Sequence, residues 1–109
     1  MIKIKYHKDV LLFLDELTDI LIDKGYFSSY EYSAQYIEDL VSYINRNIAL
    51  RYHKKTPVYF SKYGEGLFYI TYQRNKHTTW YIMFQKTKRC FFIRYITNNH
   101  SAEAQYFNL

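Results

Sequence analysis

Between Pro57 and His100 the chain falls into four runs rich in aromatic and β-branched residues: PVYFS, GLFYITYQRN, TTWYIMFQ and CFFIRYIT. Short turn-forming segments separate them. Lys62-Tyr63-Gly64-Glu65-Gly66 carries two glycines, Asn75-Lys76-His77 is polar, and Lys86-Thr87-Lys88-Arg89 is loaded with positive charge. Asn98-Asn99-His100 closes the series. Apolar residues alternate along the runs, the mark of half-buried strands. Phe68, Ile70, Tyr72 and Arg74 share one face; Leu67, Tyr69, Thr71 and Gln73 share the other. Trp80, Ile82 and Phe84 oppose Tyr81 and Met83. Phe92, Arg94 and Ile96 oppose Ile93 and Tyr95. Consecutive strands joined by tight turns form an antiparallel meander, here with Pro57 opening its first strand.

A meander with an apolar face needs a covering layer, and the first half of the chain supplies one. Ile2-Lys3-Ile4-Lys5-Tyr6 alternates as a short strand, suited to a sheet edge. From Asp9 to Lys24 the period changes. Val10, Phe13, Leu14, Leu17, Ile20 and Leu21 form one helical stripe, with Asp9 as the expected cap and Gly25 as the stop. Tyr26 and Phe27 are expected to fold back on the last turn. Ser28-Ser29-Tyr30-Glu31 has the form of a capping box. A second helix follows to about Leu50, with Ala34, Ile37, Val41, Ile44 and Ile48 as its stripe and Leu40 beside it. The order β-α-α-β-β-β-β predicts an α+β domain. A short N-terminal strand and a two-helix antiparallel hairpin pack on one face of a mainly antiparallel meander. The other face is expected to be wholly or partly free, with Arg74 or Arg94 and several aromatics on it.

At 109 residues the expectation is one domain, 1–109, able to bury a core without disulfides. Its apolar share of 49% excludes a disordered tail. Aromatics make up 21%, and the 14 tyrosines are too many for a core alone, so some must present ring and hydroxyl at a surface. The one cysteine, Cys90, excludes an internal disulfide and reads as a small apolar strand residue. No apolar run approaches a membrane span, and the first residues lack the apolar stretch of a signal peptide. The expected compartment is the cytoplasm.

Charge is unevenly spread. Residues 1–50 hold five Lys/Arg and eight Asp/Glu, whereas residues 51–109 hold ten Lys/Arg against Glu65 and Glu103. The sheet half is therefore strongly basic and suits phosphates or an acidic protein. Aromatic rings among cations can stack on single-stranded bases while Lys and Arg hold phosphates. His7, His53, His77 and Cys90 have no metal-ligand spacing, so neither a metal nor a cofactor is expected. Gly64 and Gly66 are not a phosphate loop, because a strand follows them and the P-loop lysine is absent. No nucleophile-elbow motif supports Ser/His/Asp chemistry.

The element order, the basic charge and the runs PVYFSKYGEGLFYITYQRN, TTWYIMFQ and FFIRYITNNH resemble a divergent branch of the RelE/ParE superfamily of type II toxin–antitoxin systems. In that branch a Trp opens the third meander strand and an N-N-H closes the last. The resemblance implies a toxin bound and neutralised by an acidic cognate antitoxin. RelE-like members cut mRNA in the ribosomal decoding site without a metal; ParE-like members inhibit DNA gyrase and are not nucleases. Cleavage calls for a group to activate the ribose 2′-OH, a cation for the charged phosphate, and an acid for the leaving 5′-oxygen. By position the resemblance assigns His100 as general acid or base, Arg74 and Arg94 as phosphate clamps, and Tyr106 as a second proton-transfer or base-stacking group. Lys62, Lys76, His77, Lys86, Lys88 and Arg89 are the expected RNA-binding residues. RelE itself carries an Arg where Trp80 stands and paired lysines where Thr71 and Gln73 stand. Two alternatives are therefore carried: a ParE-like gyrase inhibitor, and a basic RNA- or protein-binding module without toxicity. Each site residue also has a plainer role, His100 closing a turn, Tyr106 packing on the sheet, and the two arginines pairing with a partner's carboxylates.

Overall fold

A computed structural model of the protein describes residues 2–25, 27 and 29–108. The order is β1 (Lys3–Tyr6), α1 (Lys8–Asp23), α2 (Tyr30–Asn47), β2 (Lys54–Lys55), a first 3-10 helix (Val58–Tyr63), β3 (Phe68–Asn75), β4 (Thr78–Lys86), β5 (Cys90–Asn98) and a second 3-10 helix (Ala102–Asn108). The strands form one sheet in the order β1-β5-β4-β3-β2. β1 runs parallel to β5, and every other pair is antiparallel. The expected α+β architecture is the one observed.

The helix stripe of α1 is buried as expected, through Val10, Leu14, Leu17 and Leu21. Its cap is His7 rather than Asp9: the His7 ring nitrogen Nδ1 accepts from the Asp9 backbone N–H at 3.1 Å. Asp9 lies in the first turn, where a carboxylate favours the positive helix end. Gly25 ends the helix region with φ 78°. In α2 the cap is Ser29, whose Oγ accepts from Tyr32 N–H at 3.3 Å. The expected cap Ser28 lies outside the described residues, as does Tyr26; Phe27 does pack on the core. The buried stripe of α2 runs through Ser33, Leu40 and Ile44, then on to Ile48. Ala34, read as part of that stripe, is exposed. Successive helix positions point about 100° apart, so Ala34 looks away from the face that buries Ser33.

Both helices cover one face of the sheet, meeting Ile70, Trp80, Ile82, Phe84, Phe91, Ile93 and Ile96. The Trp80 indole N–H donates to the Tyr36 hydroxyl at 3.0 Å and ties β4 to α2. Phe13 meets the same indole edge-on.

The opposite face is not free. Pro57–Ser61, expected as the first meander strand, is instead the N-cap and first residues of the first 3-10 helix, and the short strand beside β3 is Lys54–Lys55. With three residues per turn, positions three apart share a face. Phe60 (0% exposed) and Tyr63 turn inward, while Val58 (86% exposed) and Ser61 turn out. The strand reading had Val58 and Phe60 on one face. Together with the second 3-10 helix this segment builds a second core of Phe60, Leu67 and Met83, sheathed by Tyr63, Tyr69, Tyr81, Tyr95, Tyr106 and Phe107. Ring stacks hold it: Tyr63 on Tyr95 at 3.7 Å, Tyr59 on Tyr106 at 3.8 Å, and Tyr81 on Phe107 at 4.0 Å. Six of the 14 tyrosines thus belong to a second aromatic layer, while Tyr30, Tyr32 and Tyr52 are exposed at the surface.

Two register shifts break the alternation. Gln73 faces Thr79 and Asn75 faces Thr78, which leaves Arg74 as the extra residue of β3. Met83 faces Tyr95 and Phe84 faces Ile93, which leaves Arg94 as the extra residue of β5. Because one inserted residue reverses the phase of a strand, Ile93 and Ile96 both enter the helix-side core. The expected division of β5 into Phe92/Arg94/Ile96 and Ile93/Tyr95 is corrected accordingly.

Candidate functional site

β1 is only four residues long, and the chain turns into α1 at His7. It pairs with Cys90 to Ile93 and no further. The rest of β5, from Arg94 to Asn98, has no strand beside it on that side among the described residues. A groove of about 910 Å³ runs along this half-open edge. Phe13, Leu17 and Ile20 of α1 form one wall, and Trp80 and Ile96 lie at its apolar base. Lys62, Tyr63, Arg94, Tyr95, His100 and Glu103 form the polar side. An apolar cleft with a few polar groups converging on it is the usual form of a binding site.

The polar side is electrostatically uneven. Arg94 donates from Nη1 to Gln85 Oε1 at 3.3 Å and lies over the Phe92 ring at 5.2 Å. It has no carboxylate partner among the described residues, and its buried Nε makes no hydrogen bond. Lys62 donates to the Tyr59 hydroxyl at 3.0 Å and sits 4.1 Å above that ring. This hydrogen bond holds the Lys62 ammonium above the usual lysine range. The Tyr95 hydroxyl donates to Glu103. Burial, and then that carboxylate, push the phenol well above the usual tyrosine range, so Tyr95 stays protonated and acts as a donor.

His100 is exposed at the mouth of the groove, two residues past the end of β5. Its Nε2 lies 3.1 Å from Thr78 Oγ1 at the start of β4. Thus His100, Arg94 and Lys62 line the same groove. The other assigned residues lie elsewhere. Arg74 turns to the helix side, 3.3 Å from Asp39 of α2 and 4.6 Å from the Tyr36 ring centroid. Tyr106 lies in the second aromatic layer, stacked on Tyr59, and reaches the groove only through the Tyr59–Lys62 contact. Lys76 and His77 form the exposed β3–β4 turn. Lys86, Lys88 and Arg89 lie at the far end of β4, roughly 25 Å away along a strand of this length. Lys86 is engaged there by His53 Nδ1 at 2.9 Å and by the Phe68 ring. The basic residues therefore form two separate ends of the sheet.

Sequence reading passed over Thr78, Tyr95 and Glu103 in this groove. The Asn-Asn-His run was the only available signal, because two consecutive Asn residues after a strand favour side-chain-to-backbone turns. Among the described residues no three His, Cys, Asp or Glu side chains come together in a way that could hold a metal ion. Nor, among them, is any helix long and apolar enough to cross a membrane. The groove thus brings two cations, Lys62 and Arg94, together with the Glu103 carboxylate and the His100 imidazole.

No protein-family model, no curated protein and no solved structure matches the chain. The class defined by fold and site together is thus a basic α+β domain with an amphipathic groove at a half-open sheet edge.

Proposed function

We propose that this protein is a RelE/ParE-like toxin of a type II toxin–antitoxin system and a metal-independent, ribosome-dependent mRNA endoribonuclease. The observation that carries the reading is the convergence of His100, Arg94 and Lys62 on one groove, within the element order on which the family resemblance rests. His100 exchanges the proton of the attacking ribose 2′-OH or of the leaving 5′-oxygen. Arg94, which has no carboxylate partner among the described residues, and Lys62 hold the phosphate, whose charge grows in the transition state. Arg74 supports the fold, and Tyr106 acts indirectly, by seating Tyr59 under Lys62.

The partner in this reading is an acidic antitoxin. The half-open edge of β5 offers an extended segment backbone hydrogen bonds, the wall of α1 offers it an apolar surface, and Arg94 offers its carboxylates a partner. Occupation of the groove would cover His100 and silence the toxin. The working compartment is the cytoplasm, where ribosomes are found.

Inhibition of DNA gyrase without cleavage is the second reading. It is favoured by the dispersal of Arg74 and Tyr106 to opposite faces of the sheet, since a toxin that only binds needs no assembled acid, base and clamp. Incubation of the purified protein with mRNA-programmed ribosomes, beside a gyrase supercoiling assay, separates the two. Cut mRNA with unaffected supercoiling supports the nuclease; inhibited supercoiling with intact mRNA overturns it.

A further inference from the structure

The turn that carries His100 is bound on every side. Asn98 Oδ1 accepts the His100 backbone N–H at 2.9 Å. Asn99 spans the gap to the neighbouring turn: its Oδ1 accepts from Thr79 N–H at 2.9 Å, and its Nδ2 donates to the His77 carbonyl at 2.9 Å. The Asn99 backbone N–H also donates to the Thr79 carbonyl at 3.1 Å. Three hydrogen bonds made by one exposed Asn tie the end of β5 to Thr79 of β4 and to His77 of the β3–β4 turn. Beside them Thr78, the first residue of β4, places its hydroxyl 3.1 Å from His100 Nε2. An exposed histidine that served only to close a turn would need neither its ring nitrogen engaged nor its neighbour clamped across two strands.

We infer that Thr78 and Asn99 are positioning residues for His100: Asn99 fixes where the imidazole stands, and Thr78 engages Nε2 so that Nδ1 is the nitrogen that meets the ligand. This rests on the assignment of His100 in the proposed function. A hydroxyl both donates and accepts. With His100 Nε2–H donating to Thr78 Oγ1, the Nδ1 lone pair is free to take the proton of the 2′-OH. The imidazolium so formed still donates from Nε2–H to Thr78 Oγ1 and gives its Nδ1 proton to the leaving 5′-oxygen, which returns the ring to its starting neutral form. Thr78 thus supports both halves of one proton transfer without itself gaining or losing a proton overall. A ring so held needs little reorganisation at the moment of reaction.

The test compares Thr78→Val, Thr78→Ser and Asn99→Ala with the natural protein and with His100→Ala. Two readouts are taken. The first is the nitrogen NMR spectrum of the His100 ring, which reports the tautomer without any need for activity. The second is the rate and pH profile of mRNA cleavage on programmed ribosomes. Thr78→Val is expected to change the tautomer ratio of His100 and slow cleavage about ten-fold or more at unchanged ribosome affinity, with a changed pH profile. Thr78→Ser restores both. Asn99→Ala slows cleavage similarly and broadens the His100 signals. The inference is overturned if Thr78→Val leaves the His100 tautomer as it was, whatever the activity. It is also overturned if His100→Ala abolishes cleavage while Thr78→Val and Asn99→Ala keep the natural rate and pH profile. If the natural protein cuts nothing, or His100→Ala cuts as well as it does, the nuclease reading fails, and the NMR result alone decides the positioning of the ring.

Discussion

The Arg74 guanidinium meets the Asp39 carboxylate at 3.3 Å across the gap between β3 and α2. A second donor bond, from Nη1 to the Tyr72 hydroxyl at 2.9 Å, and the face of Tyr36 complete its surroundings. Both members of the ion pair are partly exposed, so the pair itself contributes at most about 1 kcal/mol, and the contact with the Tyr36 face contributes about 0.5–1 kcal/mol. Arg74→Ala is therefore expected to lower the unfolding free energy by about 1–2 kcal/mol in a urea titration and, on the proposed toxin reading, to leave toxicity largely in place. Loss of toxicity at unchanged stability would instead make Arg74 a phosphate clamp.

Ser33 of α2 is fully buried, and its hydroxyl finds no partner among the described residues. A buried hydroxyl without a hydrogen bond is unfavourable, and Ala is the better helix former. Ser33→Ala is expected to stabilise the protein by about 0.5–1 kcal/mol. A fall in the thermal midpoint would show that the hydroxyl has a partner.

Tyr6 donates from its hydroxyl to Asn45 Oδ1 at 2.8 Å, and burial pushes that phenol from 10.0 up to about 12. Tyr95 is raised in the same direction. Between these values the folded protein keeps a proton that the unfolded chain has released. The unfolded state then binds fewer protons, so stability falls as pH rises through that window and is fully present below it. The urea midpoint is expected to drop between pH 10 and 12, and Tyr6→Phe to shrink the drop. An equal drop in the variant would exclude Tyr6 as its source.

The helix-side core was legible in the sequence because burial on one face imposes a period. Val10, Leu14, Leu17 and Leu21 repeat at helical spacing, and Ile70, Trp80, Ile82 and Phe84 at strand spacing; all are buried. The second face was not legible. PVYFS is apolar and β-branched enough for a strand, and a five-residue run cannot separate a period of two from a period of three. Only the tertiary contact of Phe60 with Tyr63, Tyr95 and Phe107 decides it. The bulges at Arg74 and Arg94 were hidden for a related reason. An inserted residue is visible only against the partner strand, and alternation is read along one strand. His100 and Arg94 were singled out through the family resemblance and their place at and near the end of the last strand, but the groove they line was not foreseen; Thr78 came to His100 through pairing across 22 positions of sequence.

The most direct measurement is the mapping of transcript 5′ ends after brief induced expression in bacteria, beside a His100→Ala control. The ribonuclease reading expects new ends inside translated frames that disappear in the control while the control protein remains folded. Growth arrest without new ends, or new ends undiminished in His100→Ala, would contradict it.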